Sequence, residues 1–387
     1  MDLKGKPFYL SADEERWVLD ALASMDEREK TGQLFCVMGG DYPLDELRAL
    51  VSDEGIGAVL YRPCPKAELA EKLAAIDAAA RIPLLHAANL EEGGAGGISD
   101  GTYFANQLGV AAADDEACAR RFAEVCAAEG LAAGINWTFS PVVDIDMNFR
   151  NPITNTRTFG SEPERVLKNA QLFLDAAQDS GLIACCKHFP GDGVDFRDQH
   201  LHPSYNSLPA EEWRETYGKI YKALIDRGLL SVMVGFCQAM ERRRAIPSAL
   251  ADGADIAKIV EERLGLPTAL YEPLADELHG PASLPEGRLT LVVANLPTAS
   301  NQTAVRINWS RKHALDDPHF INEEPAAMIS VANPYHLQDA PRIRTYINAY
   351  TPIAPALEAA LDILAGRLAP TGKSPVDPFC GLPDARL

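Results

Sequence analysis

The chain has 387 residues, 47% of them hydrophobic and 24% charged, a soluble globular balance in a length that calls for a large barrel or two domains. Asp and Glu total 55 against 36 Lys and Arg, for a net charge of −19. Such a field repels nucleic acid and anionic membranes, which excludes both as expected partners.

Ser11 with Glu14 three residues later forms a capping box at the head of "SADEERWVLDALASMDEREKTGQ", and Trp17, Leu19, Leu22 and Met25 follow at roughly helical spacing. Next comes "LFCVMGG", a short apolar run closed by Gly39 and Gly40 that reads as a buried strand. The form repeats. "PLDELRALVSDEG" is helical before the strand "IGAVLYRP", and "PKAELAEKLAAIDAAA" before "IPLLHAAN". "DEACARRFAEVCAAEGLAAG" precedes "NWTFSPVVDI", "EPERVLKNAQLFLDAAQDSG" precedes "LIACCKHF", and "AEEWRETYGKIYKALIDRG" precedes "LLSVMVGF". Helices alternate with strands apolar on both faces, the pattern of parallel β/α units. No GxGxxG follows the first strand, so a (β/α) barrel of TIM type is expected rather than a dinucleotide-binding sheet.

After the sixth strand the pattern breaks. "CQAMERRRAIPSALADGADIAKIVEERLGLP" reads as helical and polar, with "ERRR" a solvated face, and the Pro- and Gly-rich run His279 to Leu289 reads as a linker. "LTLVVANLP", "AAMISVANP" and "TYINAY" are strand-like, and "PIAPALEAALDILAGRL" is helical. The expectation is a barrel domain over 1–280 and a smaller α/β domain over 281–387. The eight cysteines form no CxxC pair and read as small buried hydrophobes in a reducing compartment. The N-terminus lacks the basic start and apolar run of a signal peptide, and no apolar stretch is long enough to cross a membrane, so a cytoplasmic location is expected.

In a barrel the chemistry sits where strands end, so the loop "KHFPGDGVDFRDQH", Lys187 to His200, draws attention at the end of strand five. Asn89, Glu91 and Glu92 follow strand three, Asp144 and Asp146 close strand four, and Arg157 lies in "NPITNTRTFG". Three readings of the loop compete. His188, Asp192, Asp198, His200 and His202 are possible metal ligands, but their spacing fits no established pattern, and no metal is expected. Asp-to-backbone bonds with Gly191 and Gly193 would make it a pinned turn. Proton transfer is the third: Asp198 and His200 are close enough for the carboxylate to fix the imidazole's tautomer and raise its basicity, leaving the other nitrogen to exchange a proton.

The loop resembles the acid/base loop of glycoside hydrolase family 3, in the β-N-acetylglucosaminidase branch, where it has the form KHFPGHG…DSH. "INWTFSPVVDI", "NPITNTRTFG" and "PLLHAANLEEGG" resemble neighbouring family segments in the same order, so the likeness spans roughly Ser11 to Phe236. The resemblance implies a (β/α) barrel, often followed by an α/β domain, and a retaining glycosidase without a cofactor that acts on an amino-sugar glycoside. It makes His200 the general acid/base and Asp198 its partner. Lys187, His188 and Arg157 would contact sugar hydroxyls, and Asn89 stands where the family commonly has an Asp. Asp192 replaces a His of the family loop and Gln199 a Ser. The family's nucleophile, an Asp in a "VVTDA"-like segment ending strand seven, has no counterpart, and strands seven and eight are wholly or partly missing from the sequence. Retaining hydrolysis needs a carboxylate roughly 5–5.5 Å from the acid. Asp226, Asp252 and Asp255 are the nearest acids in sequence, all in helix-like polar segments. Hydrolase and phosphorylase both remain open, as does a carbohydrate-binding relative without turnover.

Overall fold

A computed structural model describes residues 2–200, 204–235, 253–266, 268, 290–296, 307, 325–340 and 343–381. Helix α1 (Ala12–Ser24) starts on the expected capping box, Ser11 Oγ accepting from Glu14 N while the Glu14 carboxylate accepts from Ser11 N. Its apolar stripe is not buried: Trp17, Leu19 and Leu22 are all about half exposed. Helix α2 (Glu27–Gly32) leads into strand β1 (Cys36–Met38). Then α3 (Leu44–Asp53) alternates with β2 (Ala58–Leu60), and α4 (Lys66–Asp77) with β3 (Leu85–Ala88). Helices α5 (Gln107–Ala112) and α6 (Glu116–Ala132) precede β4 (Trp137–Thr138), and α7 (Pro163–Asp179) precedes β5 (Ile183–Phe189). A last helical stretch, α8 (Ala210–Trp213) running through a π turn into α9 (Lys219–Arg227), precedes β6 (Ser231–Val234).

The six strands lie side by side in chain order, all parallel, in one curled sheet. Sequential parallel neighbours joined by helices are the right-handed β/α units of a barrel wall. Side chains alternate across the wall. Val59, Ala88 and Cys186 pack outward with Leu69 and Leu73 of α4, Phe122 of α6, Phe173 of α7 and Leu224 of α9. Ala87, Phe139 and Cys185 form the opposite cluster with Leu60, Trp137 and Met233, and there Trp137 Nε1 donates to Ser231 Oγ at 2.8 Å.

Three expectations need correction. Strands β1 and β6, at the two ends of the sheet, are only half-buried, with Val234 of β6 64% exposed, because each has a neighbour on one side alone among the described residues. Strand β4 keeps two residues; the rest of its apolar run, Phe139 to Ile145, is buried without ladder pairing apart from a bridge between Val142 and Lys187. Not every cysteine is buried, since Cys36 is exposed.

Helix α10 (Gly253–Leu264) packs with a second, three-stranded parallel sheet of β7 (Thr290–Ala294), β8 (Pro325–Ser330) and β9 (Tyr346–Asn348) and with helix α11 (Ala354–Leu364). Val260 of α10 meets Ile329, Leu357 and Leu361, and Arg263 pairs with Asp362. The expected "ERRR" face, Asp252, His202, Cys237 and the linker lie outside the described residues. The C-terminal elements dock on the barrel through polar contacts. The Tyr335 hydroxyl donates to Asp146, Asn106 Nδ2 donates to the Tyr350 carbonyl, and Lys373 N donates to the Ala112 carbonyl at 3.0 Å. Leu108, Tyr335 and Val376 share a buried apolar cluster beside them.

Candidate active site

The polar residues noted in the sequence converge at the C-terminal ends of β3, β4 and β5. Just past β3, Glu91 accepts from three cationic donors: Lys187 Nζ at 2.6 Å, Arg157 Nε at 2.8 Å and Arg157 Nη2 at 2.9 Å. The Arg157 contact is the bidentate fork that a planar guanidinium makes with a carboxylate. Lys187, near the end of β5 with its side chain 2% exposed, also donates to Asn89 Oδ1 at 2.8 Å. Burial alone would push the Glu91 carboxyl up; Arg157 and Lys187 overcome this and hold it well below the ordinary carboxylate range. For Lys187 the balance is opposite, and burial lowers the ammonium's pKa in spite of Glu91. The expected sugar contacts Asn89, Lys187 and Arg157 are therefore one network whose centre is Glu91.

Asp144 is completely buried. Its Oδ2 is 2.6 Å from His188 Nδ1, and its Oδ1 accepts from His188 N at 3.0 Å and Asp192 N at 2.8 Å. These donors keep the carboxylate ionised against the effect of burial. Burial lowers the His188 pKa, so the ring is neutral, and its contact with a carboxylate assigns the hydrogen to Nδ1. Its Nε2 is then a hydrogen-bond acceptor.

The loop after His188 is pinned. Asn151 Nδ2 donates to Asp192 Oδ1 at 2.8 Å and to the Asp195 carbonyl at 2.7 Å, and the Tyr217 hydroxyl lies 2.6 Å from the Asp192 carbonyl. Gly193 has φ +103°, and a Cβ there would come within 2.0 Å of the Ile145 carbonyl oxygen, so only glycine fits. Asp192 is buried, with Oδ2 unpartnered. Burial, reinforced by Asp144, pushes its carboxyl up to about 7.

At the end of the loop Asp198 Oδ1 is 2.7 Å from His200 Nδ1 and accepts from His200 N at 2.8 Å. The Asp198 carboxylate is buried, whereas the His200 side chain is 22% exposed. The pair has the form of an orienting carboxylate behind an imidazole, with Nε2 left to exchange a proton. Gln199, between them, lies beside Gly235, as does His188, so the loop folds back to the end of β6. Among the described residues no group of three His, Cys, Asp or Glu is arranged to hold a metal ion. Asp226 sits on α9, exposed and paired with Lys222, and Asp255 lies on α10.

Sequence reading did not single out Asn151 or Tyr217, which pin the loop through its backbone. Their signal is weak, because an Asn in a turn and a Tyr in a helix have ordinary structural uses. The Asn-Pro step that opens the "NPIT" run, a turn signal, is the one pointer to Asn151.

A curled parallel β/α wall with a carboxylate-backed imidazole and a buried cation cluster at its C-terminal mouth defines a (β/α)-barrel enzyme. Residues 27–258 match the model of the glycosyl hydrolase family 3 N-terminal domain. The β-N-acetylglucosaminidase/β-glucosidase of Cellulomonas fimi is 30% identical in an alignment of 563 positions that spans 100% of both chains. A solved β-glucoside phosphorylase is 30% identical with a TM-score of 0.79, covering 99% of each chain. A family 3 β-N-acetylglucosaminidase structure from Paenibacillus sp. shares the fold, with a TM-score of 0.67 at 17% identity over 92% of this chain and 99% of that one. The chain belongs to glycosyl hydrolase family 3 and is a glycosidase.

Proposed function

We propose that this glycosidase removes terminal β-linked N-acetylglucosamine, or a related β-hexosaminide, with His200 as general acid/base and Asp198 as its orienting partner. One observation carries the reading: a part-exposed imidazole 2.7 Å from a buried carboxylate, on the loop that begins with Lys187 and His188. In the first step His200 Nε2 protonates the leaving oxygen; in the second the neutral ring takes a proton from the incoming water. Asn89, Lys187, Arg157 and His188 hold the sugar hydroxyls, Lys187 and Arg157 as donors and His188 Nε2 as acceptor. No cofactor takes part. The chemistry is assigned to the unit 1–280 and a supporting role to 281–387. The carboxylate of the covalent step has no counterpart in the sequence motif, so a fluorinated glycosyl trap followed by peptide mapping is the means of naming it.

The test is nitrophenol release from the N-acetyl-β-glucosaminide beside the plain β-glucoside, with His200→Ala and Asp198→Asn. Preference for the N-acetyl substrate and loss of about 10²–10⁴ in rate in the variants support the reading. Sugar binding without turnover of either substrate in the wild type would make the chain a binder.

A second reading, phosphorolysis, is favoured by the 30% identity with a β-glucoside phosphorylase over 99% of both chains. A His acid is neutral once deprotonated and does not repel an anionic acceptor, as a carboxylate would. Formation of a sugar phosphate in phosphate buffer separates the two.

A further inference from the structure

The loop that carries the dyad also carries two aromatic rings that the chemistry above does not use. Phe196 is 60% exposed and Tyr205 59%. The Arg197 guanidinium reaches both, 5.7 Å from the Phe196 ring centre and 4.9 Å from that of Tyr205. The arrangement is built from beneath. Asp195, itself buried, receives Arg197 Nε at 3.0 Å on each oxygen and Nη2 at 2.6 Å. The same carboxylate accepts Arg197 N at 3.1 Å and Tyr205 N at 2.9 Å, and the Asp195 carbonyl is held by Asn151. One carboxylate thus fixes the backbone at Tyr205 and beside Phe196, together with the cation that touches both rings. Exposed aromatic surface on a fixed polar frame marks a contact site rather than unfinished packing.

Its position says for what. His200 lies four residues after Phe196 and five before Tyr205, so at roughly 3.5 Å per residue both Cα atoms lie within about 18 Å of that of His200. The hydroxyl-binding network of Glu91, Lys187 and Arg157 is buried and polar; this patch is open and apolar. The bond that His200 protonates joins the held sugar to its leaving group, so the leaving group falls on the loop's side of the dyad. A pyranose presents an apolar C–H face to a ring and a hydroxyl edge to a cation. We infer that Phe196, Tyr205 and Arg197 form the leaving-group subsite and that it is shaped for a pyranose ring. This rests on the proposed function, with the same His200 at the junction.

The experiment compares the full chain with Phe196→Ala/Tyr205→Ala. Calorimetry gives the ratio of affinities for N,N′-diacetylchitobiose and N-acetylglucosamine. Kinetics gives the ratio of kcat/KM for the disaccharide and for β-N-acetylglucosaminyl fluoride, whose leaving group has no ring. Both ratios are expected to fall about tenfold in the variant, the worth of one to two ring contacts. Phe196→Leu/Tyr205→Leu, which keeps apolar bulk and loses the flat faces, guards against a variant that fails to fold and is expected to fall in the same direction. Unchanged ratios, or a wild type that binds the disaccharide no better than the monosaccharide, overturn the subsite. A wild type that turns over neither substrate while the binding ratio still falls overturns the hydrolase reading and leaves the subsite standing. If the plain glucoside is the substrate, cellobiose against glucose gives the same ratio.

Discussion

Replacing Glu91 with Gln tests whether the sugar-side cluster is held by one carboxylate. Glu91 accepts three cationic donors at 2.6, 2.8 and 2.9 Å. The amide keeps the volume, but its oxygen can serve only part of that set and its NH2 faces a guanidinium. Lys187 then keeps its bond to Asn89 Oδ1, with a side chain 2% exposed. Removing one member of a buried ion pair costs about 3–5 kcal/mol, because it leaves a desolvated charge. Arg157 is 26% exposed and partly hydrated, so the lower end, about 3 kcal/mol, applies. The assay is urea unfolding followed by tryptophan fluorescence, where, at the m-value of about 3 kcal/mol/M or above that a chain of this length calls for, a loss of that size lowers the midpoint by up to about 1 M. Activity is expected to fall with it. Glu91→Gln/Lys187→Met removes the stranded ammonium and is expected to recover stability without recovering activity. The pH dependence has a fixed sign. A carboxyl held below its ordinary value contributes stability in full above about 4.5 and loses it as pH falls through the lower folded value. The gap between wild type and variant should therefore close in acid. A single variant within about 0.5 kcal/mol of wild type, or a double variant no more stable than the single, would refute the reasoning.

Asp192→Asn tests the raised carboxyl: with a folded value of about 7 against 3.8, the group stabilises fully below about 3.8 and loses that contribution as pH rises through 7. The variant should gain on wild type between pH 5 and pH 8 in thermal melts, and a constant difference would sink the assignment. Gly193→Ala puts a Cβ 2.0 Å from a backbone oxygen at φ +103°, and a loss of at least about 2 kcal/mol is expected by urea titration. Tyr335→Phe withdraws the hydroxyl donated to buried Asp146, whose carboxyl burial pushes up to about 7; a loss of about 1–3 kcal/mol in the docking of the C-terminal elements is expected, read by limited proteolysis.

The barrel wall was legible because each β/α unit announces itself locally: a capped or amphipathic helix, then a short apolar run ended by Gly, Pro or a polar residue. All six strands fall inside the runs that the sequence marks. What local pattern does not carry is neighbourhood. Half-burial of β1 and β6 follows from having one neighbour instead of two, and no property of "SVMV" encodes that. The same limit applies at the site. That Lys187 and Arg157 stand at strand ends is readable; that both spend their donors on Glu91, 66 residues before Arg157 in the chain, requires the fold. The His188 ring likewise becomes an acceptor because Asp144, 44 residues earlier, takes its Nδ1 hydrogen.

These contacts decide which part of the site stands by itself. Every side chain of the hydroxyl network and of the dyad comes from residues 89–200, and each named hydrogen bond among them is made within that span. Strands β3, β4 and β5, which carry those residues, are paired on both sides, and the loop is fastened to Asn151 and, through the Tyr217 hydroxyl that reaches both the Asp192 and Ile145 carbonyls, to the helical stretch before β6. The proposed acid/base half of the site is therefore positioned whether or not further strands close the wall beyond β6. The opposing carboxylate is different, since in the resembled family it belongs to strand seven. Under the proposed function, the side chains for binding and proton transfer come from one contiguous third of the chain and the covalent step needs a carboxylate outside it, so variants in 89–200 should change affinity and acid/base behaviour without altering where a trapped glycosyl group attaches.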